Sequence, residues 1–125
     1  MEGLNLKVKE LMTFVPSGSN FELSLQFYQD LGFEVDWKSE ELAIMRIESF
    51  RFFLQKFENK EMQSNFMMNL EVENVDDWWK KIESLKLKDK YQGISLKAPE
   101  VYPWGKKEIH LIDPAGVLWH IAMRA

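Results

Sequence analysis

The stretch DPAGVLWHIAM, Asp113 to Met123, decides how this chain folds. Pro-Ala-Gly after an aspartate interrupts any periodic element and offers a tight turn. Beyond it, VLWHIAM is rich in β-branched and aromatic residues and alternates as a strand does. Val117, Trp119 and Ile121 share one face, and Leu118, His120 and Ala122 share the other. Before the turn, KKEIHLI (Lys106 to Ile112) reads as the partner strand, so the chain closes in a strand–turn–strand hairpin. Both histidines of the chain, His110 and His120, lie in it.

Working upstream, KDKYQGISLKAPEVYPWG carries a strand around Ile94 to Leu96. ENVDDWWKKIESLKL reads as a helix capped by Asn74, with Asp76 and Asp77 in its first turn, where the helix dipole favours negative charge. Val75, Trp78, Trp79, Ile82 and Leu85 give that helix an apolar face. NFMMNLEV, Asn65 to Val72, is a strand that opens this second unit. The first half follows the same plan. LKVKELMTFV (Leu6 to Val15) is a strand ended by Pro16, and SGSN is a turn offering Ser19 or Asn20 as a cap. FELSLQFYQDLGF is a helix with Leu23, Phe27, Tyr28 and Leu31 at helical spacing and Gly32 as its stop. FEVDW, ELAIMRI and FRFFLQKF are three further strands separated by hairpin-length breaks, and the polar FENKEMQS joins the halves. The order is β-α-β-β-β twice: an α+β chain forming one domain over 1–125, with module one over about 5–58 and module two over about 65–125.

Composition narrows the function classes. With 125 residues, 46% hydrophobic and 29% charged, the chain has the make-up of an ordinary globular domain. A formal charge of −4 speaks against nucleic acid as a partner, because a phosphate-binding domain needs a basic face. No cysteine is present, which removes disulfides, thiolate metal sites and cysteine nucleophiles. The first residues, MEGLNLKVKELMTFV, scatter charge through the segment and lack the apolar core of a signal peptide, and no window reaches a membrane span. The expectation is a cytoplasmic protein without a membrane partner. No G-x-S-x-G, phosphate-cradling glycine loop or H-E-x-x-H is present.

Two motifs at corresponding ends of the modules, FYQDLGFEV and DPAGVLWHIA, resemble the vicinal-oxygen-chelate superfamily, which includes glyoxalase I, extradiol dioxygenases, fosfomycin-resistance enzymes and bleomycin resistance proteins. The resemblance covers essentially the whole chain and implies tandem βαβββ modules forming a curved eight-stranded mixed sheet. The run PWGKKEIHLIDPAGVLWHI, with its Pro103-Trp104-Gly105 loop, looks most like the bleomycin resistance branch.

That likeness implies a small-molecule binding protein, acting without catalysis, that sequesters a flat, cationic or aromatic ligand in an aromatic crevice between the subunits of a homodimer. Exchange of the N-terminal arms between subunits is compatible with such a dimer. Rings suit such a ligand because they present flat apolar area and attract cations through their quadrupole. Trp104 is the ring expected to pack on the ligand; Trp37, Phe50, Phe52, Gln55 and His120 are the further candidate binding residues.

The rival expectation is a metal-dependent glyoxalase-like lyase or isomerase, or a dioxygenase. The superfamily's four metal positions fall at Glu10, Gln55, Met67 (or its neighbour Phe66) and His120. A thioether is a poor partner for hard metals, so these read as vestigial positions, with no cofactor expected. His110 reads as a cross-strand polar pair or a solvent-facing residue rather than as a ligand.

Overall fold

In the computed structural model, which describes residues 3–125, eight strands divide into two four-stranded sheets. The first contains β1 (Phe14–Pro16), β2 (Glu34–Lys38), β3 (Leu42–Ile47) and β4 (Phe50–Gln55), in the order β1-β4-β3-β2. The second contains β5 (Met67–Glu71), β6 (Ser95–Val101), β7 (Lys106–Ile112) and β8 (Leu118–Arg124), in the order β5-β8-β7-β6. In both, the opening strand runs parallel to the last one and the remaining pairs are antiparallel. The duplicated βαβββ plan is therefore realised, with the expected curved sheet resolved into two hydrogen-bonded halves.

Side chains join the halves. Helix α1 (Phe21–Leu31) presents Tyr28, whose ring meets Phe33, Phe52 and Trp119 at centroid distances of 5.3–5.7 Å, mostly edge to face. Trp119 in turn lies 5.5 Å from Phe52, so the core crosses from one sheet to the other through rings. Asn20 caps α1 by accepting from the Leu23 amide at 3.1 Å, and Gly32 ends it in the left-handed conformation with φ 116°. Leu23, expected on the inner face, is exposed, and Leu25 is buried in its place. Phe21, Leu25 and Tyr28 follow the i, i+4, i+7 stripe that the packing selects.

Three elements differ from the sequence reading. Strand β1 has three residues, which pair in parallel with Phe53 to Gln55 of β4. The alternating segment before it has no strand beside it and is irregular. The polar joining segment contains a short helix, α2 (Lys60–Asn65), capped by Asn59. Its buried Gln63 donates to the Ala115 carbonyl at 2.7 Å and accepts from the Asn59 amide at 2.7 Å, a long-range pairing that sequence periodicity does not register. Strand β6 extends beyond Leu96 to Val101 and shifts register between Lys97 and Glu100, around Pro99, which has no N–H for the ladder. Helix α3 (Val75–Leu85) forms with Asn74 as its cap, followed by the one-turn α4 (Leu87–Lys90). No helix among the described residues is long and apolar enough to cross a membrane.

Candidate functional site

Strand β7 alternates, so its inner residues Ile109 and Leu111 go fully into the core while Glu108 and His110 share the opposite face. The Asp113–Gly116 turn sets the β7–β8 register, which places His110 directly opposite His120. The chain before β7 is folded back by the Pro103-Trp104-Gly105 turn. There the Tyr102 amide donates to the Lys106 carbonyl at 2.9 Å, and Gly105 takes φ 86°. Together these local geometries bring Tyr102, Trp104, Glu108, His110 and His120 onto one patch of the second sheet.

Glu108 is the hub and is only 3% exposed. Its Oε2 accepts from the indole Nε1 of Trp104 at 2.8 Å. Its Oε1 lies 2.8 Å from both His110 Nε2 and His120 Nδ1. Burial on its own pushes the Glu108 carboxyl upward, but hydrogen bonds from His120, Trp104 and His110 favour the anion and outweigh it. The pKa settles at about 2. Among the described residues no Lys or Arg forms a salt bridge with this carboxylate, so its charge is met by the two imidazoles and one indole.

Above the hub the rings form a ladder. Trp104 stacks on Tyr102 at 4.7 Å and 11°, and Tyr102 stacks on His110 at 4.7 Å and 18°. His110 meets His120 edge to face at 4.7 Å. The Tyr102 hydroxyl lies 3.3 Å from His110 Nδ1, and Met67 Sδ lies 3.5 Å from His120 Nε2. With one face on Tyr102, Trp104 remains 57% exposed, so much of its ring is open to a ligand.

The expected binding residues separate. Trp104 and His120 converge on Glu108. Phe52 is 3% exposed and packs in the core against Tyr28, Phe33 and Trp119, and its ring also reaches a small cavity lined with Phe50, Ile47, Met68 and Leu70. Its position on the inner side of β4 decides the core packing. Trp37, on edge strand β2, is half exposed, and Gln55 ends β4 between Pro16 and Leu42. Phe50 is exposed at the start of β4 and lines a surface cleft with Ile47, Leu70, Val72 and Trp78. The carboxylates of Glu48, Glu71, Glu73 and Asp77 rim this cleft. Among the described residues none of Trp37, Phe50 and Gln55 hydrogen-bonds to or stacks on the Glu108 cluster.

Sequence reasoning set His110 apart from His120, yet it is indeed a cross-strand polar pair and its partner is His120 itself. Glu108 and Tyr102 went unnoticed. The signal for Glu108 was present in the i, i+2 spacing Glu108–His110, which puts both on one strand face.

The profile of the Glyoxalase/Bleomycin resistance protein/Dioxygenase superfamily matches residues 17–121. The chain belongs to this superfamily. A bleomycin-binding protein crystallised with bleomycin superposes with TM-score 0.79 at 20% identity, over 94% of this chain and 100% of that one. The bleomycin resistance determinant encoded on transposon Tn5 gives TM-score 0.76 at 21% identity, over 93% and 98%. Lactoylglutathione lyase from Agrobacterium tumefaciens gives 0.68 at 16%, over 94% and 95%. At such identities these likenesses establish the fold. No curated protein matches the chain by sequence.

Within the superfamily frame, the four positions carried over by resemblance are Glu10, Gln55, Met67 and His120. The Glu10 carboxylate is engaged by the Arg51 guanidinium at 2.7 and 2.6 Å. Gln55 belongs to the first sheet, and Met67 supplies only a thioether beside His120.

Proposed function

We propose that this chain is a cytoplasmic small-molecule binding protein of the bleomycin-resistance type, which sequesters a flat, cationic or aromatic ligand without catalysis. The observation that carries the reading is the Trp104–Tyr102–His110 ladder, anchored through the indole N–H to buried Glu108. An exposed indole whose orientation is already fixed loses little freedom when a planar ligand stacks on it, which is what preorganised capture requires. The acid-rimmed cleft at Phe50 and Trp78 provides a second aromatic surface that suits a cationic tail.

The reading includes a homodimer. Supporting it, Leu4, Leu6, Val8 and Leu11 are between 53% and 94% exposed in a segment with no strand beside it. Burying such residues against a second copy removes apolar surface from water. Light scattering at micromolar concentration is expected to give twice the chain mass, and a monomer there counts against the dimer.

The ligand is tested by titrating tryptophan fluorescence with bleomycin. Saturable quenching that Trp104→Ala abolishes is expected; no quenching sinks the bleomycin-type ligand.

A further inference from the structure

We propose that Glu108, His110 and His120 form a binding site for one divalent transition-metal ion. Two of these three residues, Glu108 and His110, come from β7 and lie outside the four positions that the family resemblance assigns to a metal. The site goes beyond the ligand-capture reading and stands or falls separately from it.

The donor atoms are already gathered. One carboxylate oxygen and one nitrogen from each imidazole lie within 4.8 Å of one another, on two adjacent strands whose register is fixed by the hairpin. Both nitrogens sit 2.8 Å from Glu108 Oε1. An ion held at about 2.1 Å by each donor has donor–donor edges of about 3 Å, so occupancy requires only small side-chain adjustments. Two imidazoles and one carboxylate suit Zn(II), Co(II), Ni(II) or Fe(II) rather than Mg(II) or Ca(II), which prefer all-oxygen shells.

Charge favours a cation here. Glu108 carries a carboxylate that hydrogen bonds from neighbouring rings keep ionised, and among the described residues no Lys or Arg is paired with it. A divalent ion supplies the missing positive charge. Each imidazole must turn an unprotonated nitrogen to the ion, so a proton on that nitrogen moves to the other ring nitrogen.

The surroundings are those of a positioned ligand set. Tyr102 stacks on His110 and its hydroxyl lies 3.3 Å from Nδ1, which holds the ring with Nε2 toward Glu108. Trp104 holds the other carboxylate oxygen, so Oε1 is the one turned toward the two imidazoles. The His110 and His120 side chains are 20% and 21% exposed, so the ion has a path from solvent and keeps positions open to an outside donor. Such a donor can be an amine, imidazole or carboxylate of a bound small molecule.

The test uses the full chain after EDTA treatment and dialysis, titrated with Co(II) and followed by visible d–d absorbance. One saturable Co(II) per chain is expected, displaced by stoichiometric Zn(II), with Zn(II) raising the melting temperature. His110→Ala and His120→Ala should each weaken binding by at least about tenfold, and Tyr102→Phe by less. Circular dichroism confirms that the variants fold; the wild-type bands and melting shift provide a readout that needs no variant. Absence of d–d bands at about 1 mM Co(II), or wild-type affinity in His110→Ala, overturns the proposal. Bleomycin quenching through Trp104 is read separately, so either result can fail while the other holds.

Discussion

The closing hairpin carries two buried carboxylates, and they are tuned in opposite directions. Asp113, in the turn, accepts from the Tyr28 hydroxyl through Oδ2 and from the Ala115 and Val117 amides through Oδ1, both at 2.9 Å. Tyr28 also accepts from the Trp119 indole at 2.8 Å. Glu108, on the opposite face of the hairpin from Trp119, has one indole and two imidazoles. Burial is the largest influence on both. At Asp113 it prevails over the hydrogen bonds the carboxylate accepts and lifts the pKa to about 6; at Glu108 the donors prevail and it falls to about 2. The balance differs because Asp113 is completely shut away from water, whereas hydrogen bonds from His120, Trp104 and His110 outweigh burial at Glu108. Asp113 meets only neutral donors. The first carboxylate serves as a structural clasp between helix α1 and the hairpin; the second is kept ionised where solvent and ligands can approach.

Removing the clasp is the severest way to break this comparison. Asp113→Ala strands a buried hydroxyl and two amides, and a loss of about 3–4 kcal/mol is expected by urea denaturation. Tyr28→Phe, which leaves the carboxylate and the Trp119 indole without that oxygen, should cost about 2 kcal/mol by the same measurement. Glu108→Gln, near-isosteric and beside rings that reach water, should cost about 1 kcal/mol. A larger loss for Glu108→Gln than for Asp113→Ala would reverse the assignment of clasp and site.

Acidity sharpens the contrast further. The folded pKa of Asp113 lies above its ordinary 3.8, so the folded chain holds this proton more tightly than the unfolded one. Its contribution to stability is full below about pH 4 and is lost as pH rises through about 6. Wild type should therefore lose ground to Asp113→Asn across that window. Glu108 behaves inversely: its contribution is present above its ordinary 4.5 and is lost as pH falls toward about 2. Wild type should lose ground to Glu108→Gln on acidification. Parallel melting curves from pH 2 to pH 7 check both, and slopes of the same sign would contradict the opposed tuning.

Much of the fold was legible because its signals are local. Asn20, Gly32 and Asn74 mark helix ends through side-chain capping or backbone freedom that needs no tertiary partner. The strands of each module follow from alternation and turn residues. Strand β1 and the bulged β6 were misjudged in length, since length depends on which strand lies alongside. Trp104 and His120, named through resemblance, fall in the candidate cluster. Glu108 was not legible, because an acid on a strand face looks solvated until its neighbours are known.

By itself the sequence determined the order of the eight strands and the two long helices, the two-module plan and the family, all of which rest on short-range periodicity and on the motifs FYQDLGF and DPAGVLW. Only the tertiary structure decided what those motifs do. It joined Tyr28 to Asp113 across 85 residues and gathered Trp104, His110 and His120 around one carboxylate. Such assignments depend on strand register and on which polar groups are shut away from water together, and these are properties of packing that no local stretch of chain contains.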